Sequence, residues 1–259
     1  ARLLIQRTLH RQFIEAFTRP IYDWCEKHNL GATGHYNAED TLESQLKNCF
    51  GGVMAHYRYQ QIPGVDHLFR NNERFLPALK QVSSAARQLG GREVLCEIFG
   101  GSRHSVTFAE LLWLGHLDVY AGVNYFCPHL TWYSTAGRGK RDWPQSFNYQ
   151  QTCWPEVRDL NDYFTRLLTA MRAGEPDVEV LLLQPMDSAT ASYRFGIAQA
   201  AEGFSPDEGA VSYLDKMFRR VTDAILESGR DADLGDETII GESGSVDGDR
   251  FVVGAMKYR

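Results

Sequence analysis

No CxxC pair occurs in this sequence, and its cysteines follow no regular spacing. The five, Cys25, Cys49, Cys96, Cys127 and Cys153, are odd in number and far apart. That argues against a disulfide framework and against a zinc knuckle. Cys96 and Cys127 stand in apolar runs and are expected to pack as small hydrophobes. This usage favours a reducing, cytoplasmic setting, with a periplasmic or secreted one left open. Long apolar runs are missing too. A membrane-spanning helix needs ~20 such residues, and the longest stretches, such as Val180–Leu183, are strand-sized, so no membrane partner is expected. Positive charge is not in excess: 27 Lys and Arg stand against 33 Asp and Glu, for a net charge of −6. The densest basic cluster, Arg138–Arg141, runs straight into Asp142. Nucleic acid is therefore not an expected partner. No GxGxxG or GxxxxGKS pattern marks a nucleotide site, and no HExxH helix marks a metalloprotease. A starting Met and a signal-peptide pattern are also lacking, and the last residues, Met256–Arg259, read as a strand. The sequence reads as a piece of a longer protein.

What is present is an ordinary globular composition, 43% hydrophobic, 12% aromatic and 23% charged over 259 residues, long enough for a substantial core. Phe13, Ile14, Phe17, Ile21 and Trp24 recur at helical steps and predict a helix buried on one face and bent at Pro20. Gly31–His35 and Val53–Tyr59 predict strands, with a helix at Leu42–Leu46 between them. Phe75, Leu79, Val82, Ala86 and Leu89 predict a helix stopped by Gly90–Gly91. A third strand, Glu93–Phe99, precedes a helix over Ser105–Leu117 capped by Ser105 or Thr107. The fourth strand is Val123–Cys127. A loop of roughly 25 residues comes next, and its Trp132, Tyr133, Trp143, Phe147, Tyr149 and Trp154 argue against disorder. Helical spacing resumes from Val157 to Met171. Beyond Glu175-Pro176-Asp177 come a strand at Val178–Leu183, a helix at Val211–Leu226 and strands at Glu237–Ile240 and Phe251–Ala255.

Strands alternating with helices make the fold class α/β. The pattern from 31 to 128 fits half of a (β/α)8 barrel, with an open doubly wound sheet as the competing architecture. The expected domains are 1–174, a partial barrel, and 175–259, an incomplete α/β unit. His35, Tyr59, Glu97 and His129 fall at or just past the carboxyl ends of predicted strands, where barrel enzymes keep their chemistry.

Glu97 is the leading catalytic candidate. It lies near the end of an apolar strand, where a carboxylate is costly unless something pairs with it or uses it. Arg58 and Arg103 are the partners a purely structural role would need. Glu39 is a second candidate in the loop after the first strand, where Asp40 or Thr41 caps the next helix. Pro63–His67 reads as a turn flanked by Asp66 and His67. Carboxylates, imidazoles and amides beside aromatic rings suit a ligand with many hydroxyls and an apolar ring face, which is to say a sugar. Trp132 and Tyr133 belong to that aromatic set.

Taken in order, Thr33-Gly34-His35, Glu39-Asp40-Thr41-Leu42, Pro63–Leu68, Lys80–Ala86, Glu97–Gly100 and Asn124-Tyr125-Phe126 resemble large bacterial glycoside hydrolases related to the family 106 α-L-rhamnosidases, over about residues 5 to 190. The resemblance implies that the four strands are the last four of a TIM barrel, with Glu97 on strand seven as nucleophile or general base. It implies that the partner acid follows strand four, upstream of Ala1, with Glu39 the substitute inside this chain. The expected substrate contacts are His35, Tyr59, Asp66, His67, Asn124, His129, Trp132 and Tyr133, and the resemblance implies a flavodoxin-like domain beginning near Val178. No cofactor is evident. Calcium enters by the resemblance alone, since no DxDxDG-type loop is present. The expected partners are a carbohydrate substrate and the remainder of the same polypeptide, or a second copy. Two other readings stay open: a metal-dependent barrel hydrolase using His35, His67, Glu97 and His129, and a non-catalytic carbohydrate-binding fragment.

Overall fold

The computed structural model describes residues 2–70, 75–91, 93–193 and 209–259. The predicted N-terminal helix is α1 (Arg2–Phe13), one π-helical turn (Ile14–Thr18) and α2 (Arg19–Lys27). Pro20 sits at the start of α2, directly after the π turn, with helical backbone on both sides of it. The apolar stripe is not buried as expected. Ile14 is buried, but Phe17, Ile21 and Trp24 are exposed. A π turn holds one extra residue, which rotates the succeeding turns by about 100°. Thr18 therefore joins Ile14 on the inner side instead of Phe17.

Next come β1 (Thr33–Gly34), α3 (Leu42–Cys49), α4 (Met54–Tyr57), β2 (Ile62–His67), α5 (Leu76–Gln88), β3 (Leu95–Ile98), α6 (Phe108–Tyr120) and β4 (Tyr125–Pro128). Thr41 caps α3 through Ser44 N–H, and Thr107 caps α6 in a reciprocal box with Glu110. The strand expected at Val53–Tyr59 is instead the short helix α4. Val53–Tyr57 is buried on every side, and a continuous buried run carries no period that separates strand from helix. The true second strand is the segment read as a turn. Pro63 and Gly64 belong to β2, and Gly64 is required there, since a Cβ would fall 2.5 Å from the Gly34 carbonyl oxygen of β1.

The four strands are parallel and lie in chain order, β1-β2-β3-β4. Val65, Cys96 and Ile98 point into a core that also takes Leu79, Val82, Leu111 and Leu114 from α5 and α6. Side chains alternate along a strand, so Asp66, Leu95, Glu97, Tyr125 and Cys127 share the opposite face, and all of them are partly or fully exposed. Cys96 packs as predicted. Cys127 does not, because the alternation turns it onto the open face.

The chain continues through α7 (Trp154–Ala173), β5 (Val180–Leu183), α8 (Met186–Ser192), α9 (Ala210–Glu227), β6 (Ala232–Gly235) and α10 (Glu237–Ser243) to the antiparallel strands β7 (Gly244–Asp247), β8 (Arg250–Val253) and β9 (Met256–Tyr258). The strand expected at Glu237–Ile240 is α10. The Asp236 side chain accepts from Thr238 and Ile239 N–H and starts a helix there. β5 and β6 pair in parallel. Val178, Phe218, Leu234, Ile239, Val253 and Tyr258 join the same core as Val65 and Ile98. Helix α5 lies between the two parallel sheets and is buried nearly all round. Its polar side chains grip the second sheet: Ser84 Oγ accepts Leu234 N–H at 2.8 Å, Gln88 donates to Leu234 O at 2.9 Å, and Lys80 Nζ meets Asp231 at 2.6 Å. Among the described residues, no helix is long and apolar enough to cross a membrane.

Candidate active site

Asp66, Glu97 and Cys127 are register partners across β2, β3 and β4. The sheet thus sets two carboxylates side by side at its carboxyl end, on the open face. His35 leaves β1 just beyond its last residue, and His129 comes directly after β4. His35 Nε2 stands 3.3 Å from Glu97 Oε2 and 3.9 Å from Asp66 Oδ2, while His129 Nε2 stands 3.8 Å from Glu97 Oε1. Each oxygen of Glu97 therefore faces its own imidazole. The Arg58 partner that a structural role would need is engaged with Glu242.

The Glu97 and Asp66 side chains keep 24% and 25% of their surface in solvent, so the pair is half sunk yet reachable. Burial pushes the Asp66 carboxyl up to about 6, against the pull of His35 and with the help of the Glu97 charge. Asp66 Oδ1 is buried and has no hydrogen-bond partner among the described residues. One ligand atom each from His35, Asp66 and Glu97 lie within 4.8 Å of one another. The cluster could hold a divalent ion of the kind that takes mixed nitrogen and carboxylate ligands. With one imidazole and two carboxylates it falls short of the 6–8 oxygens that calcium takes, so calcium is a poor fit and no step is routed through it.

The other candidate residues lie elsewhere. Glu39 is sealed in the wall behind β1: its Oε2 accepts the Tyr57 hydroxyl at 2.9 Å and its Oε1 accepts Tyr36 N–H. Burial pushes this carboxyl up to about 8, despite both donors. His67, one residue after Asp66, points to the helix-covered face. There its Nδ1 meets Asp118 of α6 at 2.6 Å, with both side chains fully buried. The imidazole is thus turned away from the cluster that the metal-hydrolase reading needs. Tyr59 comes after a helix and not a strand; its ring packs against Tyr22, Arg19 and Arg58. Asn124 sits at the opposite, amino end of β4, where its side chain accepts Val94 N–H. Trp132 is half-buried and donates to the Asp142 carbonyl, while Tyr133 is wholly exposed. Asp118 is a residue that sequence reasoning misses. The only hint is a lone acid inside the apolar run Leu111–Val119.

No protein-family model matches the sequence, and no curated protein matches it. Among solved structures, the fold is similar to that of a rhamnosidase from Novosphingobium sp. PP1Y, with a TM-score of 0.67 and 18% identity over 98% of this chain. The chain spans 22% of that protein's length. At this identity the likeness is one of fold: a mixed α/β chain with parallel sheets, shaped like one part of a rhamnosidase.

Proposed function

We propose that this chain carries part of the active site of a rhamnosidase-like glycoside hydrolase, in which Glu97 is the nucleophile or general base. The observation that carries the reading is the setting of Glu97: a reachable carboxylate at the carboxyl end of a parallel strand, one imidazole against each oxygen and a second carboxylate on the next strand. The fold likeness to a rhamnosidase supports it. So does the resemblance in the sequence, under which β1 to β4 are the last four strands of a (β/α)8 barrel. The open face bearing Asp66 and Glu97 is then its interior.

Hydrolysis of a glycosidic bond passes through an oxocarbenium-like transition state, with a carboxylate at the anomeric carbon and a proton donor at the leaving oxygen. Glu97 supplies the carboxylate. His35 and His129 stand beside its two oxygens, where imidazolium charge favours the carboxylate form while it waits for the sugar. Asp66, with an unpartnered oxygen and a raised affinity for protons, takes a sugar hydroxyl beside the reacting carbon. The resemblance implies that the acid protonating the leaving oxygen comes from polypeptide outside this chain; Glu39, the substitute within it, is held by Tyr57 and Tyr36.

The test is Glu97→Gln in the intact polypeptide, assayed on an aryl α-L-rhamnoside. Turnover falls about 10³-fold or more, while the melting temperature and sugar binding stay near those of the parent. Near-normal turnover by this variant ends the assignment. A second reading, metal-dependent hydrolysis, is favoured by the closeness of His35, Asp66 and Glu97. Metal analysis of the purified protein separates the two, since this reading requires a stoichiometric transition metal and loss of activity on chelation.

A further inference from the structure

Two aromatic side chains outside the carboxylate cluster are held where neither packing nor backbone preference would leave them. Phe69 lies two residues past β2, and Trp143 lies in the loop between β4 and α7. Their ring centroids are 5.3 Å apart, and the Trp143 ring is 6.4 Å from that of His129, whose Nε2 faces Glu97. One imidazole therefore separates the pair from the proposed reacting centre. Phe69 is 49% exposed and Trp143 46% exposed, so neither belongs to the core.

Both residues have left-handed backbones, with φ of 69° at Phe69 and 47° at Trp143. Bulky side chains rarely adopt that conformation, and it persists only where the surroundings over-determine it. Here they do. Phe69 N–H donates to Gly100 O at 2.7 Å, Gly101 N–H to Trp143 O at 3.4 Å, and Arg103 N–H to Pro144 O at 2.8 Å. Gly101 has no side chain to intrude. A Cβ there would fall 2.8 Å from Phe69 Cδ1 and 3.3 Å from Trp143 Cε3, so both rings lie across bare backbone. Three separate segments combine to present two half-exposed rings beside the carboxylates. A flat surface fixed in advance binds a flat ligand with little ordering cost.

We infer that Phe69 and Trp143 form the leaving-group ledge of the site, which receives a ring-shaped aglycone with an apolar face. The inference rests on the glycosidase reading and deepens it: the preferred substrates are glycosides whose departing group is itself a ring.

The experiment compares the intact polypeptide with its Phe69→Ala and Trp143→Ala variants on three substrates: phenyl α-L-rhamnoside, a rhamnosyl-glucose disaccharide and α-L-rhamnosyl fluoride. The fluoride has no ring to stack. The ledge predicts that kcat/KM falls about tenfold or more on the phenyl glycoside, the scale of one lost ring contact, and stays within about twofold on the fluoride. A parallel fall on the disaccharide widens the ledge to sugar rings, and its absence restricts the ledge to aryl groups. Trp143→Phe, which keeps a ring, restores most of the loss. Equal losses on all three substrates, or none on the phenyl glycoside, overturn the inference. Should the parent cleave none of the three, the glycosidase reading fails separately. Tryptophan fluorescence then decides: a change on adding phenyl α-L-rhamnoside that disappears in Trp143→Ala keeps the ledge as a binding surface, and no such change removes it.

Discussion

Asp66 and His67 are neighbours in one strand, yet they serve opposite faces of the same sheet. Asp66 stands half exposed beside Glu97 and His35, with one oxygen unpartnered. His67 is shut behind the sheet against Asp118, without solvent. The same contrast recurs in β3, where Glu97 faces outward between two imidazoles while Cys96 and Ile98 pack into the core. Titratable residues one position apart thus divide into those that hold the sheet on its helices and those free to meet a ligand. Residue type alone does not tell them apart; the two-residue period of the strand does.

Substitutions on the two faces sharpen this contrast. On the covered face, Asp118→Ala removes the buried His67 contact and is expected to cost about 1–3 kcal/mol of stability, read as a drop in denaturant midpoint. On the open face, His35→Ala is expected to leave the midpoint unchanged while cutting glycoside turnover by about 10–100-fold. A large stability loss there would erase the distinction.

The buried carboxyl behind β1 responds to pH. The folded Glu39 carboxyl holds its proton up to about 8, against an ordinary value of 4.5. Its contribution to stability is complete below the ordinary value and is lost as pH rises through about 8. Glu39→Gln should therefore lose stability less steeply between those limits than the parent does, which paired melts across the range would record. The smallest effect belongs to the cysteines. Cys127→Ser should shift stability by less than ~0.5 kcal/mol. In the native protein, Cys127 should react with a thiol reagent while buried Cys96 waits for unfolding.

Much of this arrangement is legible in the sequence. Strong periods and caps locate α5, α6, α7 and α9. The position of Glu97 near a strand end is legible too, because an acid in an apolar run is too costly to leave there unpaired and unused. Where the sequence misleads, the local signal is ambiguous. Val53–Tyr57 is buried all round and has no amphipathic period, so it reads as a strand. Pro63 and Gly64 look like a turn because their reason for being there is the backbone of β1, thirty residues away in the chain. The exposed stripe of Phe17, Ile21 and Trp24 depends on a single π turn that no residue type announces. Asp118, Phe69 and Trp143 owe their positions to tertiary neighbours and give no local sign.

Helix α5 serves as wall to both parallel sheets at once, and this bears on how the molecule comes apart. Its Ser84, Gln88 and Lys80 side chains find their partners on the second sheet while its apolar side chains pack with Val65 and Ile98 of the first, so losing the second sheet would leave buried polar groups stranded and losing the first would bare the core. Heating should therefore melt the chain in one cooperative step, with a single calorimetric peak. The α5 amides should exchange with deuterium more slowly than those of any other helix.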